Sequence, residues 1–135
     1  MIEFLESTAQ GLTYRFKRNG ERLGPFEYSS SKSIFIAFLY NRKPFAGTFS
    51  EPSALDFYEG VRCGLLHEAQ TKNGWKVWAK SSNAIANVTD RILYRDNFQT
   101  GLLEYVESYK SALLTDSATQ SAFVRKFDSL CGAKP

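Results

Sequence analysis

Histidine is almost absent from this sequence: 135 residues contain one, His67. Cysteine is scarce too, and Cys63 and Cys131 stand far apart with no CxxC pair. One imidazole and two separated thiols do not make a four-ligand structural zinc site. Carboxylates do not cluster at metal-site spacing either, so neither metal nor cofactor is expected. No apolar run reaches membrane-spanning length, which argues against a membrane partner. The opening residues Met1-Ile2-Glu3-Phe4-Leu5-Glu6 lack the basic start and apolar core of a signal peptide. The expected location is therefore the cytoplasm, with both thiols reduced. An excess of one charge is also missing. Seventeen Lys and Arg against 14 Asp and Glu leave a net charge of +3. That balance permits contact with nucleic acid without requiring it.

What is abundant is apolar and aromatic. The hydrophobic share is 43%, with 11 Phe, 7 Tyr and 2 Trp, enough for one globular domain over residues 1–135. Ile2, Leu5, Ala9, Leu12 and Phe16 recur at helical spacing and predict a first amphipathic helix, stopped at Asn19-Gly20. Ser29 to Ser33 offer caps for a buried helix, Ile34 to Tyr40, although its β-branched and aromatic residues would also suit a strand. A third helix should start between Ser50 and Ser53, with Pro52 in its first turn and Ser53 and Asp56 at capping-box spacing. It should run to about Ala69. Gly64 lies inside it, and a mid-helix glycine suggests close packing against another backbone.

After Asn73-Gly74, apolar and basic residues alternate from Trp75 to Lys80, which predicts a strand. Arg91 to Arg95 is its expected hairpin partner. Two further helices follow, carried by Phe98, Leu102, Val106, Tyr109 and Leu113, then by Phe123, Val124, Phe127, Leu130 and Cys131. The expected fold is mainly α: a small bundle of about five helices with a β-hairpin insertion after the third.

The chemistry concentrates in Arg62-Cys63-Gly64-Leu65-Leu66-His67. Five helical residues advance about 7.5 Å and turn about 140°, so Arg62 and His67 do not share one face of a helix. A second subunit crossing at Gly64 would place four groups in one cleft. Histidine as a residue type exchanges protons near neutral pH, and an arginine guanidinium can fork onto phosphate oxygens.

This Arg-x-x-x-x-His motif, late in a helix of a helical domain, resembles the signature of the HEPN superfamily. The stretch from Asp56 to Gly74 and the ending Phe123-Val124-Arg125-Lys126-Phe127-Asp128 are similar to a bacterial subgroup of it. The resemblance implies a metal-independent endoribonuclease, often of a toxin–antitoxin or antiviral defence system, with an antitoxin protein as a candidate partner. It also implies a homodimer in which two motifs face each other. His67 would then act as general base or acid on the ribose 2′-hydroxyl or the leaving oxygen, and Arg62 would stabilise charge on the phosphate. Active members typically carry a polar residue after the arginine, often Asn or Asp, where this chain has Cys63. That departure supports an alternative, a non-catalytic HEPN-like module for dimerisation or for binding a protein or nucleotide.

Weaker signals complete the picture. Alternation puts Lys76, Trp78 and Lys80 on one side of the predicted strand, and Trp75, Val77 and Ala79 on the other. A tryptophan between two lysines can stack a base and hold phosphates of RNA. The competing reading has one tryptophan packed on the bundle and the lysines merely solvated. Glu68 is placed to pair with Arg62 or another cation. Both cysteines are expected to be buried small apolar residues.

Overall fold

A computed structural model describes residues 1–132. The fold is mainly α with short strands, as the periodicity predicts. The chain gathers into two compact units: one joins Met1–Phe35 to the chain from Ser108 onward, and the other is Ile36–Glu107.

In the first unit, α1 (Ile2–Gln10) ends much earlier than its apolar spacing suggests. Gly11 adopts the left-handed conformation, φ 66°, and its N–H returns to the Ser7 and Thr8 carbonyls. A Cβ at Gly11 would sit 2.7 Å from both the Ala122 carbonyl oxygen and the Arg125 guanidinium. Two cations of α6 (Ser117–Leu130) close this helix end. Arg125 donates to the Gly11 and Gln10 carbonyls at 3.0 and 3.3 Å, and Lys126 Nζ to the Leu12 carbonyl at 2.8 Å. Both satisfy carbonyls at a helix C-terminus, where positive charge is favoured. Phe4 meets Phe127 edge-on beside them.

With the helix stopped at Gly11, Thr13–Tyr14 is free to form β1, which pairs in parallel with β2, Glu27–Tyr28. Leu12 and Phe16 are thus not helical, and Phe16 is exposed. Glu3 accepts hydrogen bonds from the Tyr28 hydroxyl at 3.0 Å and the Ser31 hydroxyl at 2.8 Å. Partial burial and the Glu3 carboxylate push the Tyr28 pKa up to about 12.

The segment compatible with either helix or strand is helical: α2 spans Ser31–Asn41, with Ser30 Oγ accepting the Ser33 N–H. The core of the second unit is aromatic. Phe38 and Phe45 are fully buried and touch each other. Phe45 meets Phe98, and Phe98 stacks on Phe57 at 5.6 Å. Phe57 in turn meets Phe49 and Trp75 edge-on. The rings meet in tilted, stacked and edge-on contacts, the arrangements that aromatic pairs favour.

The expected hairpin between Trp75–Lys80 and Arg91–Arg95 does not form. β3 (Lys76–Trp78) pairs with β5 (Ile92–Tyr94) in parallel, in the register Lys76↔Ile92. The antiparallel partner of β5 is β4 (Ala86–Asn87), which the connection between them contains. The hairpin is therefore β4–β5, and β3 reaches the sheet by a crossover. Parallel pairing requires a long connection, and the polar stretch 79–91 provides it. The chain enters α5 (Arg95–Thr115) directly after β5.

Candidate functional site

The motif lies on a helical rod with three parts: α3 (Glu51–Phe57), a π-helical turn (Tyr58–Cys63) and α4 (Gly64–Glu68). Ser50 and Ser53 make the capping box, three residues before the Ser53 and Asp56 pairing that the spacing suggested. Asp56 has a different task. Its carboxylate accepts Trp75 Nε1 at 3.1 Å and Arg91 Nε at 2.8 Å, tying the rod to the residues that lead into the paired strands β3 and β5.

Two glycines explain how the chain returns along this rod. A Cβ on Gly60 would sit 2.3 Å from Trp75 Cδ1, and one on Gly64 would sit 2.5 Å from the Gln70 carbonyl oxygen. The Gly60 carbonyl accepts the Lys72 N–H at 2.7 Å. Gly64 does pack against another backbone, as its position predicted, but that backbone belongs to residues 70–72 of the same chain. It therefore offers no free groove for a second subunit to cross, and that expectation is corrected.

Arg62 is half-buried at the end of the π turn. Its guanidinium carbon lies 5.2 Å from the centroid of the Tyr58 ring, a cation–π contact. Tyr58 and Arg62 are four residues apart, the spacing at which helical side chains meet. No carboxylate among the described residues pairs with Arg62, whereas Arg15, Arg91 and Arg95 pair with Glu27, Asp56 and Asp96.

His67 is exposed in the last turn of α4, which Ala69 closes in a left-handed conformation. Its ring makes no hydrogen bond among the described residues, and nothing joins it to Arg62. Its neighbours Leu65 and Leu66 are 47% and 62% exposed, so this end of the rod shows an apolar surface beside the imidazole. Glu68 pairs with Lys72, not Arg62, and that contact holds its carboxyl below the usual range. Cys63 is half-buried and Cys131 exposed, so neither thiol is the buried apolar filler that was expected.

The two tryptophans divide as the competing reading of the strand proposed. Trp75 is buried against Phe57, while Trp78 is 52% exposed and meets only the edge of Tyr94. Lys76 and Lys80 are exposed as well. Val77 and Ala79 are also exposed, so both faces of β3 meet solvent. Lys76 and Trp78 share a side of the strand, and Lys80 follows two residues beyond it.

Sequence periodicity missed a cleft of about 520 Å³ in the second unit. Lys80 borders it, with Asn97, Thr100, Gly101 and Glu104 along one face of α5. These positions carry no residue pattern that marks a site; the fold brings Pro44, Lys80 and Ile85 alongside α5 to line the hollow. Among the described residues no three His, Cys, Asp or Glu side chains come together as metal ligands, and no helix is long and apolar enough to cross a membrane. No family model, curated protein or solved structure matches this chain.

Proposed function

We propose that this chain is a metal-independent endoribonuclease of the HEPN type, with Arg62 and His67 as its catalytic pair. The observation that carries the reading is the state of those two side chains. Arg62 is held over Tyr58 with no carboxylate to neutralise it, and His67 presents an unbonded ring on the same rod. An uncompensated guanidinium suits a phosphate, and a free imidazole suits proton transfer near neutral pH.

The chemistry divides into two proton transfers. One imidazole takes the proton from a ribose 2′-hydroxyl, whose oxygen attacks the adjacent phosphorus. The 5′-oxygen of the next nucleotide leaves and takes a proton from a second acid. The products are a 2′,3′-cyclic phosphate and a free 5′-hydroxyl. Arg62 stabilises the charge on the phosphate oxygens in between. Each chain has one histidine, so a homodimer that brings two copies of His67 together supplies base and acid. The exposed Leu65 and Leu66 beside His67 support an approach over this surface, since the Gly64 side is filled by the chain itself. Lys76, Trp78 and Lys80 form the surface along which single-stranded RNA runs. A cytoplasmic toxin–antitoxin or antiviral defence system, with an antitoxin protein covering the site, is the setting that suits such an enzyme.

Cys63 favours a second reading. A thiol is a weak hydrogen-bond donor where active enzymes of this type place an amide or carboxylate, and a site so altered would bind without cutting. Incubation of purified protein with mixed RNA in chelator separates the two. Cleavage by wild type that falls by roughly 10²–10⁴ in both Arg62→Ala and His67→Ala supports the enzyme. Cleavage that survives His67→Ala, or a wild type inert on every substrate, refutes it. Activity gained only in Cys63→Asn identifies the binding module.

A further inference from the structure

We propose that the cleft along the first turns of α5 binds a guanine nucleotide unit, with its phosphate at Lys80 and its base edge at Glu104. The cleft holds about 520 Å³, within the range of small-ligand sites. Lys80 and Glu104 give its two ends opposite side-chain charges, and the Asp96 carboxylate at the Lys80 end is paired with Arg95. Ala79 accepts the Asp96 N–H at 2.9 Å, so Lys80 stands at the start of α5. Glu104 lies eight residues further along the same helix, a rise of about 12 Å. Neither side chain has a hydrogen bond or ion pair among the described residues. Most other polar groups of the lining have partners within the chain. Asn97 spends its amide on the Ser81 backbone, accepting its N–H at 3.0 Å and donating to its carbonyl at 3.4 Å. The Thr100 hydroxyl donates to the Asp96 carbonyl, and the Asp96 carboxylate accepts Arg95 Nε.

The lining between the ends mixes the apolar Pro44 and Ile85 with polar side chains. Pro44 Cγ and Ile85 Cδ1 lie 3.2 and 3.3 Å from where a Cβ of Gly101 would stand. A ligand that fits has an anion at one end, a flat body in the middle, and hydrogen-bond donors on its far edge. A carboxylate accepts two parallel N–H groups well, and guanine is the common base whose Watson–Crick edge offers N1–H and N2–H together. Adenine turns an acceptor to the same position. The ammonium of Lys80, at the positive end of a helix of 21 residues, takes the phosphate.

The site shares Lys80 with the proposed RNA-bearing strand, but neither Arg62 nor His67 lines it, so nucleotide binding is read separately from cleavage. Titration of the full chain with GMP, AMP, guanosine and a tetranucleotide containing one G, followed by NMR chemical shifts, reads it directly. GMP should bind at least about tenfold more tightly than AMP. Glu104→Gln should bring the two within about twofold of each other, and Lys80→Ala should weaken GMP about tenfold while leaving guanosine unchanged. The far-ultraviolet dichroism of both variants checks the fold; both positions are exposed. A tetranucleotide that outcompetes GMP places the unit within RNA, and the reverse order identifies a free nucleotide; both orders support the site. His67→Ala should bind GMP as wild type does, so loss of cleavage and loss of binding are separable. No GMP binding at millimolar concentration, equal affinity for AMP, or an unchanged preference in Glu104→Gln would overturn the proposal.

Discussion

Gly60→Ala tests the packing that holds the motif rod in place. At an open helical position this change stabilises by about 1 kcal/mol, because alanine restricts the unfolded chain and favours helix. Here the new Cβ would lie 2.3 Å from Trp75 Cδ1 and 3.0 Å from the Lys72 carbonyl oxygen. An ordinary carbon contact is about 3.5 Å, so something must retreat by about 1.2 Å. Trp75 has nowhere to go: it is 3% exposed, packed on Phe57, and held by Asp56 at 3.1 Å. Forcing a methyl into such a site costs about 1–3 kcal/mol. Pushing the return segment outward also strains the Lys72 to Gly60 hydrogen bond, worth about 1 kcal/mol. The clash therefore outweighs helix propensity, with a net destabilisation of about 2 kcal/mol. For a chain of this length that is a fall in Tm of roughly 6–10 °C. Urea unfolding followed by dichroism, with tryptophan fluorescence as second probe, measures it. Gly47→Ala is the control, since nothing lies within 4 Å of its added Cβ. A Gly60→Ala protein as stable as wild type would refute the reasoning, because propensity would then have won over packing.

Other expectations follow from the same surfaces and groups. Leu66→Glu should leave folding intact and abolish both dimerisation and RNA cleavage, read by light scattering at micromolar concentration; a wild type that is strictly monomeric sinks the composite site. Trp78→Ala should weaken single-stranded RNA binding by about 1–3 kcal/mol, with binding that falls as salt is added. Unchanged affinity in the folded variant would make Lys76, Trp78 and Lys80 plain solvated surface. The Tyr28 hydroxyl ionises at about 12, above the ordinary value of 10.0. A folded pKa raised above the unfolded one gives stability that is complete below pH 10 and lost as pH rises towards 12. Tyr28→Phe should therefore flatten the decline of stability over that alkaline window and remove one tyrosine that titrates near 12 by ultraviolet absorbance. A decline as steep as wild type would exclude Tyr28 as its source.

Much of the local structure was legible because it depends on neighbours in sequence. The apolar run Ile34 to Tyr40, the start near Ser50 with Pro52, and the long helices after Arg95 and Ser117 follow from periodicity and capping residues within a few positions. So did the motif, since Arg62 and His67 are defined by their spacing alone, and so did the meaning of Gly64 as a place of close backbone approach. The sequence did not decide which backbone would approach; the return of residues 70–72 over a face without side chains did that. Gly11 terminated the first helix against an apolar pattern that continued to Phe16, because two cations of α6, more than a hundred residues away, closed its carbonyl end. The sequence marked the partner of β3, but the direction of their pairing was likewise a tertiary matter. Alternation marks a strand but carries no direction, and the crossover through β4 made the pairing parallel. The two tryptophans, three residues apart, were alike in sequence; the reach of Asp56 and Phe57 buried Trp75 and left Trp78 in solvent. Short-range chemistry thus determined where helices begin and which residues carry the proposed reaction. Long-range packing decided where chains meet, because its energy lies in contacts that no window of sequence contains.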